Sequence, residues 1–103
     1  MKESTHRIGT FFRENNINVY GIGQASSLET EPSGRRPSDL LDGAKSILCL
    51  GIPFPKGIFR CVGREEQSYW RASAVYYRQI DYILMQASNL IEQTGEVAVP
   101  VYG

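Results

Sequence analysis

The chain has 103 residues, with 11 basic and 11 acidic side chains and a single histidine. That length allows one domain with a small core. The balanced charge argues against direct nucleic-acid binding, which usually brings a basic excess on one face. No apolar run approaches the roughly 20 residues of a membrane span, and the opening "MKESTHRIGTFF" lacks the apolar core of a secretory signal. A soluble, cytoplasmic protein with no membrane partner is expected.

Taken in order, the first element is a short helix over residues 4–16. Ser4 or Thr5 can cap it by accepting from the free amides of the first turn. Ile8, Phe11 and Phe12 fall on one face, and Asn15 and Asn16 suit the stop. "INVYGIG" alternates in the manner of a strand. "QASSLETEPSG" is polar and aperiodic, so it reads as an exposed loop.

A second short helix follows in "RPSDLLDGAK", with Pro37 in its first turn and Gly43 at its end. "SILCLGIPF" is a continuous apolar run, the pattern of a strand buried on both faces, and Pro53 and Pro55 end it. "KGIFRCVGREEQ" has no sustained period and reads as a loop, with a short strand at 58–62 as an option. From 68 to 94 the spacing of Tyr76, Ile80, Ile83, Leu84, Ala87, Leu90 and Ile91 predicts a long helix ending at Gly95. "EVAVPVYG" reads as a last strand with Val97, Val99 and Val101 on one face and Pro100 at an edge, a bulge or its end.

The expected order is α–β–α–β–α–β, a single small α/β or α+β domain. Its last strand would leave an unprotected apolar edge. Either that strand pairs in a homodimer, or the chain is one portion of a longer protein.

Candidate chemistry is sparse. "GIGQAS" has two glycines of a dinucleotide fingerprint, but Ser26 stands at the sixth position and no helical pattern follows to meet a phosphate. Its glycines read instead as places where backbone approaches closely at a strand end. His6 lies in the first turn of a surface helix without a cluster of acids or cysteines, so no His-based nucleophilic triad can be assembled. Cys49 and Cys61 match no zinc or iron–sulfur spacing, and Cys49 sits in an apolar run as a small hydrophobe. Glu65 and Glu66 suit the positive end of a helix dipole.

The run "SYWRASAVYYRQIDY" is the most unusual. Its plain reading is an amphipathic helix whose aromatics pack on the sheet. Its functional reading is a wall for a flat cofactor, with rings and aliphatic groups on a macrocycle and Tyr or Arg on its polar rim.

Two motifs in order carry a family resemblance. "RRPSDLLDGAKSILCLGIPFP" resembles the "R-x-P-x-x-L-L-x-G-x-x-S-V-I" segment of epoxyqueuosine reductases and related corrinoid iron–sulfur proteins. "YYRQIDYI" resembles their "Y-x-x-x-x-D-Y-H", placing Tyr76, Asp81 and Tyr82 on matching positions. The resemblance spans most of residues 8–101. It implies the N-terminal part of a nitroreductase-like, cobalamin-domain-like sandwich, with Arg36, Tyr76, Asp81 and Tyr82 as neighbours of cobalamin.

It also implies 4Fe–4S clusters only in a parent protein, beyond residue 103, and the remainder of that parent as the chain's partner. The parent would be an oxidoreductase, while this segment carries no catalytic residue and no metal ligand. The sequence departs from the pattern at Ile83, where the family has His, at Ile80, where it has Arg, and in the short loop before Arg35, where it has a longer helical insert. The rival expectation is a non-catalytic interaction module that dimerises through its C-terminal strand.

Overall fold

The computed structural model describes residues 2–102. Helix α1 (Lys2–Glu14) leads to strand β1 (Val19–Gln24), a one-turn helix α2 (Pro37–Leu40), strand β2 (Ser46–Gly51) and the long helix α3 (Glu65–Glu92). Short 3-10 turns follow β1 at Ala25–Leu28 and precede α3 at Lys56–Arg60. The result is a small mixed α/β fold, with three α-helices and one two-stranded antiparallel sheet among the described residues.

Helix α1 forms because its apolar residues recur at helical spacing. Ile8 and Phe12 are fully buried, and Phe11 packs beside them. Asn16 ends the helix in the left-handed region at φ 59°, which short polar side chains tolerate better than most. Ser4, one of the two expected caps, does something else. Ser4 lies inside α1 and is buried, with its Oγ 2.7 Å from Thr94 Oγ1. The Thr94 hydroxyl also donates to the Ile91 carbonyl at 2.6 Å. This chain of bonds ties the start of α1 to the end of α3.

Helix α3 begins one turn earlier than the apolar spacing predicts, with Glu65 and Glu66 in its first turn. Its C-terminal half supplies Ile83 and Ala87 to the core, with Leu90 and Ile91 packed alongside. The helix stops before Gly95, whose φ of +93° is costly for any residue with a Cβ.

Strands β1 and β2 pair with Tyr20 opposite Leu50 and Gly21 opposite Cys49. Side chains alternate across a sheet, so Tyr20, Ile22, Leu48 and Leu50 share one face. That face meets the helices: Leu48 and Leu50 pack on the core, and the Tyr20 ring lies 4.7 Å from Phe12. The other face carries Val19, Gly21, Gly23, Ile47, Cys49 and Gly51; Val19 and Cys49 are exposed, while Ile47 and Gly51 are half-buried.

Several expectations are corrected here. Strand β2 is half-buried instead of buried on both faces, and Cys49 is exposed, because helices cover one side of the sheet only. Gly21 and Gly23 meet no close backbone; a Cβ at either would have nothing within 4 Å. Residues 56–60 form a 3-10 turn and no strand. The last expected strand is absent: residues 96–102 join no ladder. Pro100 can donate nothing to a sheet, and no strand lies paired beside this segment to accept the remaining amides.

The molecule is a slab of 49 × 35 × 18 Å with a radius of gyration of 16.1 Å, against about 13 Å for a compact chain of this length. Its accessible surface is 7693 Å², whereas a compact monomer of this mass exposes about 5,800 Å².

Candidate functional site

One side of the molecule holds an open groove of about 900 Å³. Its lining comes from Ile8 of α1, Leu84, Ala87 and Ile91 of α3, the first half of β2, residues 35–37 and 40–45, and residues 96–101. It is largely apolar.

Arg36 lines this groove from the start of α2. Its backbone N–H donates to Asp39 Oδ2 at 3.0 Å, and the Gly34 N–H donates to the same oxygen at 2.7 Å. These two bonds, the one from Arg36 the stronger influence, hold the Asp39 carboxyl below the usual carboxylate range. The Arg36 side chain is itself anchored, its Nε donating to the Glu31 carbonyl at 2.7 Å. The Ser38 hydroxyl donates to Glu29 at 3.0 Å. The polar loop is exposed, as expected from its composition, and it also folds back on α2 through Asp39, three residues after Arg36.

The other three expected site residues are on α3. Tyr76 is half-buried with its ring 5.1 Å from Phe54. Asp81 is half-buried, and its Oδ1 is shielded from solvent with no hydrogen-bond partner. Tyr82 is 65% exposed. At about 100° per residue, Tyr76, Asp81 and Tyr82 fan around the helix and share no single face. Of the four, Arg36 alone lines the groove. The chain by itself thus does not bring the four residues together around this groove.

The aromatic run divides in a way its spacing shows in hindsight. Tyr69, Ser73 and Tyr76 fall at i, i+4 and i+7. Ser73 is buried, donating to the Tyr69 carbonyl at 2.9 Å. The Tyr69 and Tyr76 rings flank Phe54, at 5.4 and 5.1 Å. They pack on the segment before α3 and not on the sheet, which corrects the plain reading of this helix. Phe54 and Phe59, 6.1 Å apart, complete the cluster; nothing in the aperiodic stretch around them signalled it. Trp70 and Tyr77 point to solvent.

His6 is exposed on α1, and Cys49 and Cys61 are free thiols. Among the described residues no group of three or more His, Cys, Asp or Glu could hold a metal ion, and no helix is long and apolar enough to cross a membrane. The short turn after β1 offers no helix start to a phosphate at "GIGQAS". The chain matches no family model, and no curated protein or solved structure is significantly similar to it.

Proposed function

We propose that this chain is a non-catalytic scaffold layer, the N-terminal part of a cytoplasmic corrinoid and iron–sulfur oxidoreductase of the epoxyqueuosine reductase type, with a nitroreductase-like sandwich completed by the rest of that protein. One observation carries the scaffold reading: the slab exposes about 1,900 Å² more than a compact monomer of its mass. That exceeds the roughly 800 Å² per partner of an ordinary interface and fits a permanent one. The corrinoid assignment rests on the two sequence motifs. In this reading Arg36 sits on the groove wall, and the α3 residues meet cofactor or protein only after the second layer is in place. When bound, a corrinoid would supply the electron chemistry itself.

The test is to read the gene past the Gly103 codon and to titrate its product with hydroxocobalamin. A frame that continues into C-x₂-C-x₂-C-x₃-C-P runs, with a shifted corrin spectrum on binding, is the expected result. A stop codon after Gly103, or a full-length product that leaves the spectrum unchanged, overturns the corrinoid reading.

A second reading is favoured by residues 97–101. Val97, Val99 and Val101 are 66%, 44% and 62% exposed on a segment that joins no strand ladder. An interaction module that dimerises through this segment would use them. Light scattering across a concentration series separates the two: a dimer lost in Val99→Glu supports the module, and a monomer at all concentrations rules it out.

A further inference from the structure

We draw no further inference here: the strongest candidate, the apolar groove between α1, α3, β2 and residues 96–101, is an uncovered face and nothing in the structure shows what covers it.

Discussion

Replacing Asp81 with alanine should stabilise the isolated chain, against the usual trend for substitutions at a half-buried position. The Oδ1 atom of Asp81 is shielded from water and accepts no hydrogen bond. An unmade bond of this kind costs about 1–3 kcal/mol, and removing the carboxylate removes that cost. Alanine is also the better helix former by up to about 0.7 kcal/mol, and position 81 lies well inside α3. Against this stands the small loss of contact from a short side chain. The net expectation is a gain of about 1 kcal/mol. With a urea dependence of about 1–3 kcal/mol per molar, the midpoint should rise by roughly 0.3–1 M.

Far-UV circular dichroism is the suitable probe, since the single tryptophan is already exposed. A loss of more than about 1 kcal/mol would show that the carboxylate has a partner in solution, and the reasoning would be refuted. In the scaffold reading the partner arrives with the second layer. The same substitution in the longer protein should then change sign and destabilise.

The remaining expectations are more local. Phe12→Ala should cost about 3–5 kcal/mol, because Phe12 is 0% exposed at the centre of a core with few other buried side chains; a urea midpoint that barely moves would show that the core lies elsewhere. Ser4→Ala and Thr94→Val should each destabilise by about 1 kcal/mol, with a double-mutant coupling of similar size if the Ser4–Thr94 bond forms as described. Additive losses would mean the two hydroxyls act separately. Asp39 is held below the ordinary carboxylate range by the amides of Arg36 and Gly34. Its folded value is depressed, so its contribution is present above the ordinary Asp range near 3.9 and is lost as pH falls through the lowered value. Side-chain carbon NMR across pH 2–6 should show Asp39 titrating late; titration at the ordinary position would remove the two amide bonds from the account.

What the sequence by itself determined is local. The spacing of Ile8, Phe11 and Phe12, and of Ile83, Ala87 and Ile91, required two amphipathic helices, and both bury those faces. Asn16, Gly43 and Gly95 marked turns, and all three adopt positive φ. Such features depend on neighbours a few residues away, which is why they are legible. The strand character of β2 is legible for the same reason, while its half-burial is not. An apolar run gives the transfer preference of its side chains and not the number of layers available to cover them.

Tertiary structure alone decided the rest. Whether residues 97–101 become a strand depends on a neighbouring edge, and alternating valines cannot supply one when Pro100 removes a donor and no strand is paired alongside. Whether Arg36, Tyr76, Asp81 and Tyr82 converge depends on how α2 sits against α3 and on the 100° step of a helix. Those geometric facts set Arg36 on the groove and spread the other three around α3. Helices and turns follow from local spacing; a site needs long-range partners, and those are fixed only by packing.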